Sequence, residues 1–260
     1  MALQQSKANS LVYLDEVFLS LQGEGGEVGK LHLFLRLAGC PVRCEYCDTP
    51  RSWKNQHSFA VHYPDGIKYF ENPFEAEELT AQLHLLCKAY EVDISQLVLS
   101  VTGGEPLEQS AFLLNWLPDW GGPILLETAC TNSRALESLL PYISFLSLDW
   151  KLPSTVRRGF SLLDPSAGLR ALEVSEDILS IKVWVKLVVS SGVDISELKE
   201  AFCAIAFARP GANVYLQPAT PVAHASCPSP DFLMQAMLES QNHDLNVRVL
   251  PQIHPALGLA

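Results

Sequence analysis

Six short apolar runs, rich in β-branched residues, alternate with helical segments along this chain, and that alternation constrains its fold more than any other feature. The runs fall at 31–37, 97–101, 124–127, 145–149, 183–189 and 214–216. Amphipathic segments lie at 73–90, 108–117, 133–140, 165–179, 195–209 and 230–241. Continuous apolar strands separated by helices predict parallel β/α units buried on both faces. Six such units make an α/β fold, a partial (β/α)6 barrel that is TIM-like but open. Residues 12–24 precede the first unit and predict an edge strand delivering Gln22-Gly23-Glu24-Gly25 to the barrel mouth. Apolar alternation around Pro64-Asp65-Gly66 predicts a small hairpin insertion within 51–71. That segment reads as an accessory flap on a single domain spanning 1–260.

The polar signals gather where the strands end: Gly39-Cys40, Thr102-Gly103-Gly104-Glu105-Pro106, Thr128, Asp149-Trp150-Lys151 and Gln217-Pro218. Active sites of β/α barrels are built from loops at those carboxyl ends, so one mouth is expected to hold the chemistry. A net charge of -11 argues against a nucleic-acid partner, which needs a basic face. No run approaches 18 apolar residues, so no membrane span is expected. Met1–Ser10 lacks the apolar centre of an export signal. Seven cysteines without such a signal suit a reducing, cytoplasmic setting. Cys87, Cys130, Cys203 and Cys227 are scattered, and are expected as buried small hydrophobes.

The other three cysteines are grouped. Cys40, Cys44 and Cys47 form C-x3-C-x2-C in one tight loop. A closed zinc site wants four ligands, and His57 and His62, the neighbouring histidines, have no zinc-like spacing to a cysteine. A four-iron cluster held by three thiolates keeps one iron open for another ligand. Gly39 permits close backbone approach. One β/α unit on, the two glycines of Thr102-Gly103-Gly104-Glu105-Pro106 sit at a strand end, where they let backbone groups approach closely. No HExxH, G-x-S-x-G or Walker loop is present. The five tryptophans read as packing residues, with Trp150 also placed for stacking.

With Tyr46 before its last cysteine, the loop resembles the cluster motif of the radical S-adenosylmethionine superfamily, and Thr102–Pro106 resembles its second motif. The second likeness implies that backbone groups there reach the cofactor's amino-acid moiety, with the Glu105 carboxylate assisting at its ammonium. The run Val17–Gly25, Arg36, Asp48-Thr49, Leu216-Gln217-Pro218 and the tail Val247–His254 resemble the 7-carboxy-7-deazaguanine synthase family over nearly the whole length. That resemblance implies a carbon–nitrogen lyase of the radical SAM type. It would rearrange 6-carboxy-5,6,7,8-tetrahydropterin into 7-carboxy-7-deazaguanine with loss of ammonia, toward queuosine and other deazapurines.

The implied cofactors are a 4Fe-4S cluster on Cys40, Cys44 and Cys47, S-adenosyl-L-methionine, and Mg2+ on the Thr49 hydroxyl. Leu21, Gln22, Gly23, Arg36 and Thr102 fall to the pterin, Arg36 through its bidentate fork for a carboxylate. Tyr46, Cys47, Asp48 and Gly104 fall to S-adenosylmethionine, with Asp149, Trp150 and Lys151 at the fourth strand and Gln217, Pro218, Ala219 and Thr220 at the sixth. The sequence departs from the family after the third strand, with Glu127-Thr128-Ala129-Cys130-Thr131-Asn132, and at its C-terminal end. A flavodoxin or ferredoxin would supply the electron, and the open barrel's edges suit a homodimer. The competing readings are an activase of a glycyl-radical enzyme, which does not predict Gln22–Gly25 or Arg36, and a non-catalytic zinc-binding protein.

Overall fold

The computed structural model describes residues 11–160, 168–169, 180–222 and 224–259. The elements in chain order are β1 (Leu11–Val12), β2 (Leu14–Leu21), β3 (Leu31–Leu37), β4 (Ser58–Tyr63), β5 (Gly66–Glu71), β6 (Phe74–Glu75) and α1 (Ala76–Ala89). There follow β7 (Val98–Gly103), α2 (Ser110–Trp116), β8 (Ile124–Thr128), α3 (Ser133–Leu139), β9 (Phe145–Asp149) and β10 (Lys182–Val189). The last are α4 (Ile195–Ala208), β11 (Ala212–Pro218), α5 (Pro230–Ser240), β12 (Leu245–Val249) and α6 (His254–Leu257). The helix expected over 165–179 lies almost entirely outside the described residues.

Ten strands form one sheet in the order β12-β11-β10-β9-β8-β7-β3-β2-β4-β5. From β12 to β3 every pairing is parallel, which is the open β/α barrel expected, with one parallel strand more than the six read from sequence. Alternation explains the burial on both faces. Leu33, Leu35 and Leu37 of β3 and Leu99 and Val101 of β7 are fully buried in the core, and each contributes about 1.5–3 kcal/mol by leaving water. The intervening Phe34, Arg36 and Thr102 face the barrel mouth instead, as a period of two requires. Helices α1 and α4 supply the outer layer through Leu79, Leu83 and Leu86 and through Leu198, Phe202 and Ile205. The starts of α3 and α4 are capped: Asn132 accepts from the Ala135 amide, and Asp194 forms a capping box with Glu197.

β2 runs antiparallel to β3, and β4 adds to β2 in parallel. The segment expected as a flap is therefore built into the sheet. Its hairpin, turning at Pro64-Asp65, supplies the last two strands. Phe74-Glu75, expected as helix, pairs with Leu11-Val12 as a small separate sheet.

An open barrel leaves a side to close, and the loop between β2 and β3 closes it. Gln22 donates to Glu127 on β8 at 3.0 Å, and Glu24 meets Lys186 on β10 at 2.5 Å. Gly25 and Gly26 lie so close to Trp184 that a Cβ on either would touch its ring. From the other end of the chain, the Ile253 amide donates to the Gly23 carbonyl at 3.1 Å.

Candidate active site at the barrel mouth

The cysteine loop leaves β3 through Gly39, whose φ of +89° is a left-handed conformation that glycine adopts without strain. Backbone bonds pin the loop on both sides. The Gly39 amide donates to Ser52 O and the Cys40 amide to Trp53 O, at 2.8 and 3.2 Å, while Glu45 and Arg157 amides tie it to residues 155–157. The Arg43 guanidinium donates to the Cys40 carbonyl. All three thiols line one cleft, Cys44 buried and the other two half-buried. The Trp53 indole N–H reaches Cys47 Sγ at 3.1 Å.

Burial pushes the Cys40 thiol up to about 12, with Glu105 and Cys44 adding to it. Burial raises Cys44 as well, against the pull of Lys151. Loading a metal here therefore displaces protons. Among the described residues no three Cys, His, Asp or Glu side chains converge where a single ion would sit. Three thiols on one wall without that convergence fit a multi-iron cluster, and an indole donor beside a ligand sulfur fits its charge.

Thr102-Gly103-Gly104-Glu105 is welded to this loop. Gly104 and Glu105 amides donate to Leu37 O and Gly39 O, both at 2.8 Å. The Glu105 carboxylate accepts from Thr128 Oγ1, the Ala129 amide and the Leu107 amide at 2.5, 2.8 and 3.1 Å. Burial lifts it to about 7 in spite of those three bonds. Those donors make Glu105 a brace between β7 and β8, and it lines the cleft with one acceptor site left on Oε2, which takes a single bond. A Cβ on Gly104 would stand 2.2 Å from the Gly39 carbonyl oxygen, a backbone atom that cannot swing aside. Gly104→Ala is expected to cost about 1–3 kcal/mol and to displace the cysteine loop. Iron and sulfide per chain after anaerobic loading, alongside the melting temperature, check it.

The substrate-side residues Leu21, Gln22, Gly23, Arg36 and Thr102 all line the same cleft. Arg36 is held from behind: its Nε bonds Glu16 at 2.7 Å, Glu16 in turn meets His62 at 3.0 Å, and the guanidinium lies over Phe18. Tyr46, Asp48, Thr49, Gly104, Asp149, Lys151, Gln217, Ala219 and Thr220 line it too. Trp150 and Pro218 do not. Strand alternation turns Asp149 and Lys151 inward and Trp150 outward into the core. Gln217 and Ala219 face in for the same reason, while Pro218 between them does not reach the cleft.

Several cleft residues were not anticipated. Lys186 Nζ, at mid-β10, lies 2.5 Å from Glu24, 3.6 Å from Asp149 and 3.8 Å from Glu127. Lys151 Nζ lies 2.5 Å from Asp149 and 2.9 Å from the Tyr46 hydroxyl. Gln252 donates to Glu24 at 2.6 Å and to Asp48 at 3.2 Å, and accepts from Thr220. Burial alone would raise Glu24, but Lys186 and Gln252 hold it down to about 2. Burial likewise works against both ammonium groups, and the carboxylates, Asp149 foremost, outweigh it and keep them protonated. Glu127 is raised by burial and by Glu24, against Lys186. The cleft thus carries fixed, ionised acceptors and donors excluded from water, a setting for a polar heterocycle with several N–H groups. One signal for Lys186 was present: a lysine inside Val-Trp-Val-Lys-Leu-Val-Val requires a buried partner.

Cys87 and Cys130 are buried as expected, whereas Cys203 and Cys227 are exposed. No described helix is long and apolar enough to cross a membrane.

A family profile described as a 4Fe-4S single cluster domain matches residues 21–120. The chain is 33% identical to the 7-carboxy-7-deazaguanine synthase of Methanopyrus kandleri, over 92% of this chain and 90% of that one. In structure it is similar to QueE from Escherichia coli, with a TM-score of 0.57 at 22% identity, covering 92% of this chain and 94% of the other. It is also similar to Streptococcus suis SuiB bound to S-adenosylmethionine, with a TM-score of 0.51 at 14% identity, covering 95% and 53%.

Proposed function

The chain belongs to the 7-carboxy-7-deazaguanine synthase family, and on that premise we propose which of its residues carry out the family's reaction. The reaction is the ring contraction of 6-carboxy-5,6,7,8-tetrahydropterin to 7-carboxy-7-deazaguanine with loss of ammonia, by a radical SAM lyase. When bound, the 4Fe-4S cluster and S-adenosylmethionine supply the adenosyl radical chemistry. The observation that carries the assignment is that the Cys40, Cys44 and Cys47 thiols share one cleft with Gln22, Gly23, Arg36 and Thr102.

Cys40, Cys44 and Cys47 would hold the cluster. Tyr46, Asp48, Gly104, Asp149, Lys151, Gln217, Ala219 and Thr220 would surround S-adenosylmethionine. Trp150 and Pro218 drop from that group because neither reaches the cleft. Arg36, steadied by Glu16, offers a cation to the pterin carboxylate, and Thr102 beside it offers a hydroxyl. Gln22 is held by Glu127, and Gly23 must stay side-chain-free because a Cβ there would strike His254. Thr49 would give Mg2+ one oxygen, leaving the rest of the shell to substrate and water. A flavodoxin or ferredoxin would serve as reductant, the protein would be a homodimer, and the cytoplasm would be its setting.

The test is anaerobic reconstitution followed by turnover with the tetrahydropterin. Product at the mass of 7-carboxy-7-deazaguanine is expected, falling on removal of Mg2+ while the visible absorption of the cluster stays. A coloured protein that gives no such product rejects the proposal, and a colourless one favours the zinc-binding alternative.

A further inference from the structure

A one-electron donor has to approach the cysteine loop from outside the cleft, and the structure shows what it would meet there. Trp53 lines the cleft beside the loop, with its indole N–H on Cys47 Sγ, and the residues packed on its ring lie outside the cleft. Its ring lies between two guanidiniums, Arg43 at 5.1 Å and Arg157 at 4.9 Å. Arg43 also covers Phe160, which is 44% exposed. Lys54 and Arg158, next in sequence to Trp53 and Arg157, are exposed and make no ion pair among the described residues. Glu45 lies 3.6 Å from Arg157. The concentration of cations is out of keeping with a net charge of -11: residues 150–160 hold Lys151, Arg157 and Arg158 and no acid. Arginines stacked on a partly exposed indole are fixed in place, at little further entropic cost to a partner that pairs with them.

We propose that this basic, aromatic face around Trp53 is the docking surface for a flavodoxin, and that Trp53 is the contact through which its electron reaches Cys47. The proposal rests on the family reading above, since it presumes a reducible cluster on the three cysteines. A flavodoxin suits the surface because an acidic rim complements the four cations and a flat flavin edge complements the Trp53 and Phe160 rings. The step is a bare electron transfer: the reduced flavin loses one electron, the iron–sulfur group gains one, and no bond forms or breaks.

The experiment is calorimetric titration of the iron-loaded full chain with purified flavodoxin at low and raised salt. Arg157→Glu/Arg158→Glu and, separately, Lys54→Glu are expected to weaken binding by about tenfold or more, with binding of the unsubstituted chain falling as salt rises. Iron content reports whether each variant is loaded like its parent, and Lys54→Glu, whose side chain is exposed and meets no charged partner among the described residues, guards against a folding defect in the double variant. Trp53→Phe is expected to keep the affinity and to slow flavin oxidation about tenfold in stopped flow. Unchanged affinity in both charge variants overturns the proposal, as does salt-independent binding or tight binding of ferredoxin but not flavodoxin. Turnover with dithionite separates the two levels: no product there sinks the family assignment, while the titration alone decides the docking face.

Discussion

Cys44→Ala protein, loaded with iron and sulfide in the absence of air, is expected to stay colourless and to form no product. Iron should fall from about four atoms per chain to near none, because two thiolates cannot hold a cube that three already hold with one corner open. The fold should survive the change. The loop around Cys44 is fixed by backbone bonds, including a two-residue antiparallel pairing with Val156, and none of these needs the sulfur. Deleting one buried sulfur should cost on the order of 1 kcal/mol. Cys87→Ala is the matched control: that thiol is also buried, and burial pushes it up to about 11, but it packs in the core away from the cleft. It should lose a similar amount of stability and keep both iron and turnover. If Cys44→Ala retains the visible absorption, the cysteine loop does not hold the cluster.

The contrast between what the chain disclosed and what it concealed follows from sequence separation and from strand alternation. β3 and β9 fall where the apolar runs begin and end, since their alternate leucines mark the core face clearly even though His32, Arg36 and Ser147 interrupt them. β12 was read only as a tail with family resemblance. Its Leu-Asn-Val-Arg-Val is an edge strand, half exposed, and five residues of mixed polarity give little period to detect. The cysteine loop and the Gly-Gly-Glu-Pro turn were legible as motifs, but the weld between them was not. That contact appears only once β3 and β7 lie side by side, and it makes Glu105 a brace as well as a cleft residue. Trp150 was misplaced because a triplet at a strand end reads as one unit, whereas the pleat sends its middle member to the opposite side. Glu24 and Lys186, 162 positions apart, each carried a hint alone. Arg36 drew notice because a cation inside an apolar strand needs a partner, and the same rule applied to Lys186 would have placed it in the site.

Lys186→Met should produce the other large effect, and its sign with pH identifies the cause. In the intact protein Glu24 sits at about 2, below the ordinary 4.5. A depressed carboxylate stabilises the fold above pH 4.5, and that contribution fades as pH falls through 2. At 1.36 kcal/mol per unit this amounts to about 3 kcal/mol. Removing Lys186 leaves Glu24, Glu127 and Asp149 buried with Lys151 alone to offset them, and burial then lifts Glu24 and Glu127 above their unfolded values. Breaking such a buried pair by deleting one partner costs about 3–5 kcal/mol, a large share of a typical domain's stability. The variant should accordingly gain stability as pH drops from 7 to 5, where the intact protein gains nothing from Glu24. Denaturant unfolding of both proteins across that range checks it as a steeper gain in the variant than in the intact protein, where Glu105 and Glu127 already supply one. Turnover should fall roughly a hundredfold, since Glu24 and Glu127 lose the cation that aims them into the cleft. Adding Glu24→Gln to Lys186→Met removes the stranded charge, and should restore part of the stability without restoring turnover. Were Lys186→Met as stable as its parent at pH 7 and equally active, the ion cluster at the barrel mouth would be neither a structural tie nor part of the site.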